Sequence, residues 1–71
     1  MPKLPVVSGQ KAIKALAGLG FVALRQRGSH VVLKGRDRTF AVPLHPELDR
    51  GTLRAILRQA NVSVGEFIDA L

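Results

Sequence analysis

The run FVALRQRGSHVVLKGRDRTFAVP, from Phe21 to Pro43, decides how this chain folds. Its apolar residues alternate with polar ones, which is the period of a half-buried strand, and polar stretches containing glycine break the alternation. Phe21 to Gln26 reads as a first strand, with Phe21, Ala23 and Arg25 on one face and Val22, Leu24 and Gln26 on the other. Arg27-Gly28-Ser29 makes a tight turn, which Gly28 permits because glycine tolerates backbone conformations that other residues resist. His30 to Lys34 is a second strand, with Val31 and Leu33 opposite His30, Val32 and Lys34. Gly35-Arg36-Asp37-Arg38 is a polar reversal, and Thr39 to Val42 is a third strand ended by Pro43. Three consecutive strands with short turns form an antiparallel meander. His30 and Lys34 share the less apolar side of their strand, which places His30 on or beside a face left open to water.

Outward from the meander, both flanks read as helix. Met1 to Val7 is an extended lead-in, since Pro2 and Pro5 disfavour helix around them. Ser8 is a candidate N-cap for a helix from Gly9 to Gly18, with Ala12, Ile13, Leu16 and Ala17 at helical spacing. Leu19 closes that helix and Gly20 follows as its left-handed residue. After the meander, Leu44 to Leu48 is a loop holding His45, and Asp49 is a candidate N-cap for a helix from Arg50 to Ala60. Leu53, Ile56, Leu57 and Ala60 form its buried stripe, and Asn61 ends it. Ser63 and Glu66 have the spacing of a capping box, opening a short last helix that carries Val64, Phe67, Ile68 and Leu71. The predicted fold is α+β, in the order α-β-β-β-α with a short C-terminal helix. The two longer helices cover one face of the three-stranded sheet.

Composition narrows the partners. The 71 residues amount to one expected domain, residues 1–71, with no cysteine to staple it. Eleven Lys and Arg against five Asp and Glu give a net charge of +6, a balance that suits phosphate-rich or acidic partners. No Trp or Tyr and only three Phe are present, which argues against an aromatic platform for stacking bases. No run approaches the ~20 apolar residues needed to span a bilayer, and no signal peptide is visible, so the expected compartment is the cytoplasm.

The chemistry converges on His30. Cleavage of RNA through its own 2′-hydroxyl needs a base, an acid and cations, but no metal and no cofactor. An imidazole titrates near neutrality and serves either proton-transfer role. Arg25, Arg27 and Lys34 lie close in sequence and supply positive charge for the phosphate. Against this stands a plainer reading, in which His30 is a strand-end residue bonded to backbone. His45 could be a partner acid or base, or could bond its own loop. Ser29 next to His30 is a candidate for RNA contact or catalytic support, but the two are wrong for a nucleophile–base pair, because adjacent side chains on extended backbone point apart. Lys11 and Lys14 share one helix face, and Arg50, Arg54 and Arg58 recur at four-residue steps along another. These two groups either contact phosphates or a partner, or only solvate their helices. Two histidines without cysteine or matched carboxylates make a poor zinc site, and no Gly-rich loop opens a helix to cradle phosphate.

The chain resembles the HicA family of bacterial mRNA interferase toxins. The matching residues are Leu16-Ala17-Gly18-Leu19-Gly20-Phe21, Arg25-Gln26-Arg27-Gly28-Ser29-His30, Val42-Pro43-Leu44-His45 and the segment from Gly51 to Ala60. Ser63 to Leu71, with Glu66-Phe67, looks like the family's tail. Gly-Ser-His alone is a weak signal, but these segments in this order cover nearly the whole chain. The resemblance implies a double-stranded-RNA-binding-domain-like fold and ribonuclease activity on mRNA. It also implies that the catalytic histidine is His30, and that a HicB-type antitoxin blocks the site. Such antitoxins usually carry a DNA-binding part, so this chain would meet DNA only through the complex. A non-catalytic RNA-binding module is the competing reading, since a fold does not dictate chemistry.

Overall fold

Ser8 starts the first regular element of the computed structural model, which describes residues 3–71; Met1 and Pro2, the start of the expected lead-in, lie outside the described residues. The Ser8 hydroxyl accepts the Lys11 N–H at 3.0 Å and opens α1, Gly9–Gly18. The far end is satisfied by two backbone bonds, Gly20 N–H to the Ala17 carbonyl and Phe21 N–H to the Leu16 carbonyl, each 3.1 Å. That pattern is a Schellman motif, with Gly20 at a φ of +100°. It hands Phe21, which is buried, straight to the core.

Three strands follow, β1 (Val22–Arg27), β2 (His30–Gly35) and β3 (Arg38–Pro43), in the order β1-β2-β3 and all antiparallel. The helices α2 (Arg50–Ala60) and α3 (Val64–Ala70) complete the chain. Asn61 ends α2 in the left-handed region, with Val62 N–H bonding back to the Leu57 carbonyl at 2.9 Å. Ser63 and Glu66 form the full capping box of α3. The element order and the three-stranded sheet with its helices are those of an α+β, double-stranded-RNA-binding-domain-like fold.

The core lies between the helices and the β2–β3 part of the sheet. α2 packs on β3, while α1 touches β3 and α3. Phe67, Leu16, Leu33, Leu53 and Val42 are the largest side chains with essentially no exposure, and each is worth roughly 1.5–3 kcal/mol on burial. Phe21 and Phe40 meet edge to face, with centroids 5.5 Å apart. Leu48, expected only as part of a loop, is also buried, and its N–H donates to the Val7 carbonyl at 2.8 Å.

Several expectations are corrected. β1 runs one residue later than the pattern predicts, because Phe21 is drawn into the core by the end of α1. The four-residue reversal after β2 is a two-residue turn, Arg36-Asp37, with both φ values positive (50° and 59°), as a type I′ hairpin requires. The strands lengthen accordingly, and Pro43 is the last residue of β3 rather than its terminator. On α1, Ile13 is half-buried and Ala17 exposed, while Ala15 and Gly9 are buried instead. Leu71 is exposed, and Asp49 occupies the N-cap position of α2 without a side-chain capping bond. Finally, all six residues of β1 are exposed, so the helices cover β2 and β3 but leave β1 bare.

Candidate active site

The open sheet face is ordered by the register of its strands. Residues directly opposite each other share a face, so the buried Val31 and Leu33 mark the core side. The other side carries three cross-strand rows: Arg27–His30–Pro43, Arg25–Val32–Ala41 and Val22–Lys34–Thr39. Strict alternation would have put Arg25 on the core side with Ala23, as the sequence pattern predicts. Between Ala23 and Arg25 the register shifts, and Leu24 is left without a partner on β2. This β-bulge turns Arg25 over to the face of His30, a familiar use of bulges. The expected grouping of Phe21, Ala23 and Arg25 is therefore broken at Leu24.

A two-residue turn, Gly28-Ser29, presents His30 at the start of β2. Gly28 has a φ of +57°, and Ser29 has no positive φ, a pairing that suits glycine at the first turn position. The Gln26 side-chain amide donates to the Gly28 carbonyl at 2.9 Å and braces the turn, a contact that alternation alone could not reveal. His30 is exposed, as the expectation of an open-face position requires. Its neighbours rank by distance. Arg27 stands directly opposite, about 5 Å away between Cβ atoms, and Arg25 is the diagonal neighbour at about 7–8 Å. Lys34 shares the face but sits four residues along the strand, about 13 Å away.

His45 comes to the same end of the sheet. Pro43, two residues before it, pairs with His30, and Leu44 N–H donates to the Ser29 carbonyl at 2.6 Å. The His45 carbonyl accepts Gly9 N–H at 2.9 Å, so the loop backbone is pinned to the start of α1. The approach there is close enough that a Cβ on Gly9 would meet the Pro43 carbonyl oxygen at 1.9 Å. Among the described residues neither imidazole makes a side-chain hydrogen bond, so the plainer readings, a backbone bond from either ring, have no contact behind them. Ser29 sits in the turn, likewise with no bond to His30.

The remaining cations lie elsewhere. Lys11 and Lys14 are exposed on α1, where they line a shallow depression of about 400 Å³ with Ser8 and Gln10. Arg50, Arg54 and Arg58 are exposed along one flank of α2, beside its buried stripe. Neither group belongs to the rows around His30. Arg36, which spacing did not single out, bonds Glu66 at 2.8 Å and the Asn61 carbonyl at 2.8 Å, and lies 5.7 Å from the Phe21 ring centroid. Its hydrogen bond holds the Glu66 carboxyl below its ordinary value, with help from the Ser63 N–H. Two residues far apart in sequence made this clamp invisible before the fold was known.

Fold and surface together define a class: a small α+β protein of double-stranded-RNA-binding-domain-like architecture with a cationic, uncovered sheet face. The family described as HicA toxin of bacterial toxin–antitoxin matches residues 9–62, from the start of α1 to just past α2, and the chain belongs to that family. Membership makes it a toxin of a toxin–antitoxin pair and implies an antitoxin as its partner. No curated protein matches the chain. Among the described residues, no helix is long and apolar enough to cross a membrane.

Proposed function

We propose that this toxin is an endoribonuclease that cleaves mRNA without a metal, arrests translation and growth, and is neutralised by a HicB-type antitoxin. The observation that carries the reading is the exposed His30 in one row with Arg27, with Arg25 beside them on the same face. His30 takes the proton of a ribose 2′-hydroxyl, or delivers one to the leaving 5′-oxygen. The 2′-oxygen forms a bond to phosphorus as the bond from phosphorus to the 5′-oxygen breaks, leaving a 2′,3′-cyclic phosphate and a free 5′-hydroxyl. Arg27 and Arg25 stabilise the charge that grows on the phosphoryl oxygens, where preorganised cations act most strongly. Lys34, farther along the strand, holds a neighbouring phosphate. His45, from the loop at the same end of the sheet, supplies the second proton-transfer group in this reading. Lys11, Lys14, Arg50, Arg54 and Arg58 offer charge for more distant phosphates or for the antitoxin. The chain acts as one domain and works in the cytoplasm.

The test is incubation of the purified chain with mRNA in EDTA, beside the His30→Ala variant. Cleavage by the parent chain with cyclic-phosphate ends, lost in the variant, is the expected result. RNA bound but uncut by the parent chain would instead make this a non-catalytic RNA-binding module.

A further inference from the structure

The two edges of the sheet differ in what covers them. At β1 every residue is exposed, and Val22 (60%) and Leu24 (48%) are two of the four exposed large apolar side chains among the described residues. Arg27 and His30 close a two-residue turn, so they exchange hydrogen bonds, and the pleat then directs the N–H and C=O of Gln26 outward. β1 thus offers backbone donors and acceptors, an apolar contact and two arginines along one free edge.

We infer that β1 is the docking edge for an extended acidic segment of the antitoxin, which adds as a fourth strand. Charge decides the occupant. A second copy of this chain would bring four arginines into one ribbon between two molecules of net charge +6 each. The arginines and the bulge are the devices that keep edge strands from pairing with themselves. A strand with carboxylates across from Arg25 and Arg27 and an apolar residue across from Val22 meets the same edge favourably. Such a strand lies about 4.8 Å from β1 and about 10 Å from β2. It would neutralise the two cations nearest His30 without needing to fill the space over the imidazole. The inference takes its partner from the toxin reading, but it does not depend on nuclease chemistry.

Residue-resolved amide exchange on the full chain, alone and with the co-expressed HicB-type antitoxin, tests this directly. The Gln26 amide is expected to exchange freely in the toxin alone and at least about tenfold more slowly in the complex. Gln26→Ala loses only the side-chain brace of the turn. Gln26→Pro also removes an outward donor at an edge where proline is tolerated, and is expected to weaken the complex about tenfold more than Gln26→Ala does, the scale of one lost hydrogen bond. Unchanged exchange along β1 in a formed complex overturns the inference and leaves the toxin reading standing. So does protection that grows with concentration of the chain alone, or that a single-stranded RNA oligonucleotide produces and the antitoxin does not. Failure of the antitoxin to bind at all overturns both. A free chain that leaves RNA uncut, with β1 still protected in the complex, counts against the nuclease alone.

Discussion

β1 and β3 are the two edges of one small sheet, yet they are built for opposite ends. β3 contributes the buried Phe40 and Val42, lies under α2, and ends at Pro43, whose carbonyl is pressed against Gly9. β1 contributes no buried residue, although Phe21 just before it is buried. The stability of the fold therefore resides on the β3 side, and β1 is held mainly by its ladder with β2. A bare strand is free to vary its side chains for an outside partner, and this one carries arginine toward His30. In a chain of this size one core claims most of the large apolar side chains, and the proposed working surface falls on the strand where packing makes no demand.

The largest effect expected from that contrast is at Gly9. A Gly9→Val side chain has no room beside the Pro43 carbonyl, and the overpacking is expected to cost about 3 kcal/mol or more, a fall of roughly 12 °C or more in the unfolding midpoint. Thermal melts of the variant check this, and a midpoint close to the parent's would show that the β3 end is not the anchored one.

An intermediate effect is expected at the Arg36–Glu66 clamp, which ties the β2–β3 turn to the start of α3. The Glu66 carboxyl is held below its ordinary value near 4.5, first by the Arg36 hydrogen bond. A carboxyl whose folded value is depressed binds fewer protons in the folded state than in the unfolded one. Its contribution is present above the ordinary carboxylate value and is lost as pH falls through the lower, folded one. Parent chain and Glu66→Gln should therefore differ in melting point at neutral pH and converge in acid. A gap that stays constant through the acid range would remove Glu66 from the account.

At the small end stands Leu24. As an exposed bulge residue on the bare strand, its replacement by Ser is expected to change stability by no more than about 0.5 kcal/mol. Chemical denaturation measures this, and a loss of several times that would mean that β1 is packed after all.

Much of this layout could be read from the chain. The bounds of α1 and α2 follow from Ser8, Asn61 and apolar spacing, and the capping box from Ser63 and Glu66, because caps are local rules written in a few adjacent residues. The open-face position of His30 followed from the alternation of Val31 and Leu33 against it. What stayed hidden is non-local or breaks a period. Nothing in Ala23-Leu24-Arg25 announces a bulge, so simple alternation assigns Arg25 to the wrong face. Arg36-Asp37 lacks the glycine that usually marks a two-residue hairpin turn, so the polar run Gly35-Arg36-Asp37-Arg38 reads as a longer reversal than it is. The Arg36–Glu66 contact joins residues thirty apart, and Ile13, Ala17 and Leu71 show that apolar spacing marks a candidate stripe, not the part of it that finds a partner.

The central claim is that the exposed imidazole of His30, backed by Arg27 and Arg25, moves the protons of phosphodiester cleavage. His30→Ala removes a strand-end side chain that supports no packing, so the variant is expected to melt with the parent chain. The rate of mRNA cleavage in EDTA, measured for both, is the direct test. A fall of at least about 100-fold in the folded variant is predicted, the scale of a lost acid–base group. A folded His30→Ala chain that cuts RNA as fast as the parent would contradict the account.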